Sequence, residues 1–155
     1  MDQSEIVRQE LLGVASSHLL SAQDEIVLVL KAHLVAESFL YEILYGQLPN
    51  AAALDNSRLS FSQLLSIVES LRPSKREQWI WLSFRHLNSL RNEYAHELSP
   101  DRLDGKRKLF IESTKPWIFP PSEQEGLLQF KFILLILCAQ LANIRHGNET
   151  AGPIT

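Results

Sequence analysis

The sequence predicts an all-α fold, a helical bundle of about five to six helices. Three observations predict it. Apolar residues recur at helical spacing along nearly the whole chain, and no run alternates β-branched and polar residues as a half-buried strand would. The 6 glycines and 7 prolines fall mostly between the apolar-periodic segments. The length of 155 residues suits one domain, taken here as 1–155 with its core over 23–146 and a short flexible tail at 147–155. A chain of this size buries roughly 70% of the surface its unfolded form exposes, so its core needs neither a disulfide nor a metal.

The elements follow from the punctuation. Helices are expected at about 4–20, 23–47, 60–72, 74–98, 101–113 and 122–146. Pro49 opens a connection that runs to residue 59, and Ser60 is placed to cap the third helix. Pro73 separates the third and fourth helices; Ser74 and Glu77 have the spacing of a capping box. The fourth helix ends at Ser99-Pro100, because a residue before proline is pushed out of the α region. KPWIFPP at 115–121 reads as an ordered loop whose Trp117, Ile118 and Phe119 pack on the bundle. Trp79 and Trp81, on an amphipathic helix, read as packing residues.

The last helix is apolar throughout 132–139. It reads as a buried helix rather than a membrane span, since Lys131 lies near its start and no clean flank follows. A helix apolar on every side must be covered on every side. A small bundle covers one side of a terminal helix, so a symmetric homodimer is expected to cover the other.

Composition narrows the function. With 15 Lys plus Arg against 18 Asp plus Glu the net charge is −3, which excludes a chain that coats nucleic acid by charge alone. The lone Cys138 and a charged N-terminus without an apolar signal core point to a cytoplasmic protein. The five histidines show neither HExxH nor any other ligand spacing, so no metal or other cofactor is expected.

Two sets of polar residues break the pattern. In the second helix Ile26, Val27, Leu30, Leu34, Leu40, Tyr41, Leu44 and Leu48 make a broad apolar face, with Asp24, Lys31, Ser38 and Glu42 opposite. Glu37 falls inside that face and His33 lies one turn earlier on the same side. A buried carboxylate needs a partner; His33 is the nearest, an arginine from another helix the stronger. The second set is LNSLRNEYAHEL at 87–98. Phe84, Leu87, Leu90, Tyr94 and Leu98 mark the core stripe; Arg91 sits about 50° to one side of it, while Asn92 and His96 point roughly 150–170° away. Asn92 and His96 are four apart, where an amide can orient an imidazole.

RNEYAH at the end of a long helix resembles the signature of the HEPN superfamily (higher eukaryotes and prokaryotes nucleotide-binding domains): Arg, often followed by Asn, then His after four to six residues. Arg91, Asn92 and His96 fill those places, with Ala95 before the His, and Glu37 resembles a Glu that the family's leading helix often carries. The resemblance covers about residues 23–146 in helix order, but its specificity rests on these few side chains. It implies an up-and-down helical core that dimerises, and a metal-independent endoribonuclease of toxin or antiphage type with Arg91 and His96 as its active pair. It also implies an antitoxin or nucleotidyltransferase partner. Some members carry a Tyr two residues after the His as the site of modification; here Leu98 stands there, which argues against that regulation.

The chemistry suits the residues. Cleavage of RNA by its own 2′-hydroxyl needs a base, an acid and positive charge at the phosphate; histidine titrates near neutrality and arginine grips phosphate oxygens. One imidazole cannot be base and acid together, so two copies of His96 across a dimer are expected. Glu37, His33 and Tyr94 would support the pair, with Tyr94 as a core contact. Lys75, Arg76 and Arg85 are candidate RNA-binding cations, whereas Lys106, Arg107 and Lys108 read as a solvated face and Arg145-His146 as cations at a helix end. The alternatives are a non-catalytic HEPN-like module that binds a protein or nucleotide, and an all-helical regulator resembling the mannitol operon repressors. No helix-turn-helix pattern is visible, so specific DNA binding is not expected.

Overall fold

The computed structural model describes residues 3–96, 99–120, 126–145 and 147. Leu98, Pro121, His146 and all of the expected tail except Gly147 lie outside these. Within them the chain is an all-α bundle: α1 (Gln3–Leu20), α2 (Glu25–Gln47), α3 (Phe61–Ser70), α4 (Gln78–His96), α5 (Pro100–Thr114) and α6 (Gly126–Arg145).

The ends are set as the chemistry of caps requires. Asp24 accepts the amide of Val27 at 2.8 Å to start α2. Ser60 and Gln63 form a reciprocal capping box on α3. Pro100 opens α5, where its missing N–H costs nothing. Gly126 starts α6 at φ +62°, a conformation that a side chain would strain. The expected box at Ser74 is absent. Lys75–Glu77 instead form a 3-10 turn without a side-chain cap, because the Glu77 carboxylate is buried and held by Arg72 at 2.6 and 2.7 Å.

The central helix is α2, packed against α1, α3, α4 and α6. Asn88 meets His33 and Tyr94 meets Glu25, so α4 runs antiparallel to α2. The hydroxyls of Ser83 and Ser113 meet at 3.0 Å, and Arg107 reaches Tyr94, so α5 folds back antiparallel on α4. Arg145 pairs with Glu42 at 3.5 Å, which places the C-terminal end of α6 beside that of α2. Trp81, Phe84 and Phe110 are fully buried between these layers. Trp79 is also buried, and stacks on Trp117 with ring centroids 5.5 Å apart. Ile118 is buried, but Phe119 is 62% exposed, so the loop packs through two of its three large residues.

Two faces differ from expectation. On α2, Leu40 and Leu44 are buried, yet Ile26, Leu30 and Leu34 are 43%, 39% and 63% exposed. The inward side is made instead by Val29, Ala32, His33 and Ala36, whose small alanines let neighbouring helices come close. On α6, contacts with α1 and α2 cover one side. Leu128 remains 53% exposed, and Phe132, Leu135 and Ile136 are half-buried. Among the described residues α6 is the helix long and apolar enough to cross a membrane, and half of that stretch is buried in the bundle.

Candidate functional site

The last turns of α4 lie against the first half of α2, and the polar residues of both helices gather there. His33 is buried, its ring 4.1 Å from that of Phe61 at the start of α3. Its Nε2 lies 3.0 Å from Oδ1 of Asn88, which fixes the tautomer with the proton on Nε2. Burial holds the imidazole below its ordinary pKa; the hydrogen bond it donates to Asn88 opposes this, the Arg91 charge adds to it and Glu37 opposes it. His33, Asn88, Arg91 and Glu37 therefore share one electrostatic neighbourhood.

Arg91 is half-buried. Its Nη1 donates to Oδ1 of Asn92 at 3.1 Å, and its Nε is buried with no hydrogen-bond partner. Three guanidiniums are partly buried among the described residues: Arg72, Arg91 and Arg107. Glu77 holds the first, and Glu25 with Asp104 holds the third. Among the described residues no carboxylate lies within 4 Å of Arg91. The side-chain oxygen it meets among the described residues is the neutral amide of Asn92.

His96, the last residue of α4, is exposed, as its phase on the helix predicts. Among the described residues no hydrogen bond joins Asn92 to it; the Asn92 amide oxygen accepts from Arg91 instead. Glu37 is half-buried rather than enclosed. It has no ion pair among the described residues.

Tyr94 is half-buried, and its hydroxyl donates to the Glu25 carboxylate. Arg107 approaches the same hydroxyl at 3.5 Å and donates to Glu25 at 2.5 and 2.6 Å. Burial and the acceptor Glu25 push the phenol up to about 12, against the opposing pull of Arg107. Glu25 in turn raises Arg107, so this cation is a structural brace between α2, α4 and α5 rather than part of a solvated run. The cations expected to hold RNA do not gather at the motif. Arg85 pairs with Glu69. Lys75 and Arg76 are exposed at the far end of α4, about 30 Å along the axis from His96. No group of three or more His, Cys, Asp or Glu able to hold a metal ion occurs among the described residues.

Asn88 escaped the sequence reading, although a signal was present: Asn88, Asn92 and His96 follow at four-residue steps on one stripe of a helix, where asparagine is otherwise unfavourable. Comparison of the chain with protein-family models, with curated proteins and with solved structures finds no match.

Proposed function

We propose that the chain is a HEPN-like, metal-independent endoribonuclease that works as a homodimer, with Arg91 and His96 of both protomers around one phosphodiester. The observation that carries this reading is the partly buried Arg91 guanidinium that no carboxylate among the described residues neutralises. A cation kept half out of water without a counter-ion is prepared for an anion, and a phosphate accepts from a guanidinium at two oxygens. In the reaction one imidazole takes the 2′-hydroxyl proton as that oxygen attacks phosphorus. The bond from phosphorus to the 5′-oxygen breaks, and the second imidazole gives that oxygen its proton. A 2′,3′-cyclic phosphate and a free 5′-hydroxyl result. Arg91 meets the charge that builds on the phosphoryl oxygens.

The test is cleavage of single-stranded RNA by the purified chain in EDTA. Wild type is expected to leave cyclic phosphate ends. Arg91→Ala and His96→Ala are expected to lose at least about 10²-fold in rate. Equal cleavage by wild type and His96→Ala overturns the reading, as does the absence of cleavage at high protein concentration. A second reading, a non-catalytic module that binds a nucleotide or protein, draws support from the placement of Lys75, Arg76 and Arg85 away from Arg91. Tight nucleotide binding without turnover would favour it. An antitoxin or nucleotidyltransferase partner stays part of the first reading.

A further inference from the structure

The exposed stripe Ile26, Leu30, Leu34 on α2 runs beside the α4 turns that carry Arg91 and His96. These three residues are spaced evenly, at i, i+4 and i+8, so the stripe is symmetric about Leu30. An antiparallel copy of the same stripe, related by a two-fold axis through Leu30, sets Ile26 against the partner's Leu34 and Leu30 against the partner's Leu30.

The polar groups fall into register under the same operation. Asn88 is level with His33 and Tyr94 with Glu25. Hence Arg91 is level with about residue 29 of α2, and His96 with about residue 23. The first position lies at the axis. The second lies seven residues before Leu30, and the two-fold carries it opposite the residue seven places after Leu30, which is Glu37. Glu37 is a half-buried carboxylate without an ion pair among the described residues, and His96 is an exposed imidazole.

We propose that two copies of the chain pair through the Leu30 stripe of α2, and that Glu37 of each protomer meets His96 of the other. This rests on the dimeric part of the reading above and deepens it. Each active imidazole is then oriented from across the interface, so a single protomer lacks a finished site. Glu37 acts here as a positioning residue for His96. Sign complementarity at Glu37 and His96 and self-complementarity of the apolar spacing select a second copy of this chain over an unrelated partner.

The test uses the full chain with Leu30→Cys under mild oxidation. Native Cys138 does not compete, since it is fully buried and its thiol is pushed up to about 12. A Leu30→Cys dimer band on non-reducing gels is expected, with none from Leu128→Cys on the open side of α6. Glu37→Lys is expected to weaken the dimer about tenfold in sedimentation, and Glu37→Lys with His96→Glu to restore it. Circular dichroism checks the fold of each variant. A monomer at high micromolar concentration, or a band from Leu128→Cys instead, overturns the interface. No effect of Glu37→Lys on dimer affinity overturns the pairing. None of these readouts uses RNA, so a chain that dimerises this way and cleaves nothing sinks the ribonuclease reading alone.

Discussion

Replacing His33 by alanine removes three contributions at once. The buried ring loses its place on Phe61, 4.1 Å away, an aromatic contact worth about 0.5–1.5 kcal/mol. The bond to Asn88 at 3.0 Å goes, and Asn88, being half-buried, recovers part of it from water, leaving a loss of about 1 kcal/mol. Burial of the ring itself adds about 1–2 kcal/mol. His33→Ala should therefore cost about 3–4 kcal/mol in urea unfolding, which is roughly 6–16 °C in Tm for a chain of this size. Asn88→Ala leaves the buried Nε2–H without an acceptor and should cost about 1–2 kcal/mol. The double variant tests the connection, since the two losses should overlap by about 1 kcal/mol. Additive effects would show that the contact between α2 and α4 does not stabilise the fold as argued. The pH dependence has a fixed sign. The folded imidazole holds its proton less tightly than the unfolded one, whose ordinary value is 6.5. Its contribution is complete above pH 6.5 and is lost as pH falls through 6.5 toward the folded value. His33→Gln should flatten that part of the stability curve.

The pair Arg72–Glu77 should behave asymmetrically. Arg72→Ala strands a carboxylate that is 4% exposed and should cost about 3 kcal/mol, whereas Glu77→Gln leaves a guanidinium that is 28% exposed and should cost about 1 kcal/mol, both read by urea unfolding. In the 115–120 loop, Ile118→Ala should cost about 2–3 kcal/mol and Phe119→Ala less than about 0.5 kcal/mol, because only the first is buried. A loss at Phe119 as large as at Ile118 would mean that something else covers that ring.

The order and rough ends of six helices were legible because prolines, glycines and capping residues mark them locally. Faces were harder. On α2 the eye counts Ile26, Leu30 and Leu34 as core, yet α2 turns Ala32, His33 and Ala36 inward. Hydrophobicity says which residues gain most from burial, but close helix approach is decided by small side chains, which a hydropathy pattern scores weakly. Long-range pairs left no mark at all. Arg107 sits in what looks like a solvated run of cations, and its partner Glu25 is 82 residues away. The same blindness hid Asn88, whose partner His33 lies on another helix. What could be read locally, the phase of His96 pointing out of the bundle, agrees with its exposure.

The area on the Leu30 stripe limits how tight the proposed dimer can be. The exposed parts of Ile26, Leu30 and Leu34 on two protomers amount to roughly 500 Å², on the order of 10 kcal/mol if all of it leaves water. Association costs about 4–15 kcal/mol before any contact is counted. The stripe alone therefore leaves little surplus, and the Glu37–His96 contacts decide the balance. Two Arg91 guanidiniums near the axis oppose pairing until an anion lies between them. The proposed dimer is then no tighter than about micromolar, and its site would assemble only as protein concentration or bound phosphate rises. If the chain is the ribonuclease proposed, its specific RNA-cleaving activity should fall as the protein is diluted through that range, and Leu30→Asp should lower it at every concentration while His96 stays intact. Specific activity that holds constant on dilution into a regime where sedimentation finds only monomer would mean that one chain carries the whole chemistry, and the two-imidazole mechanism would have to be abandoned.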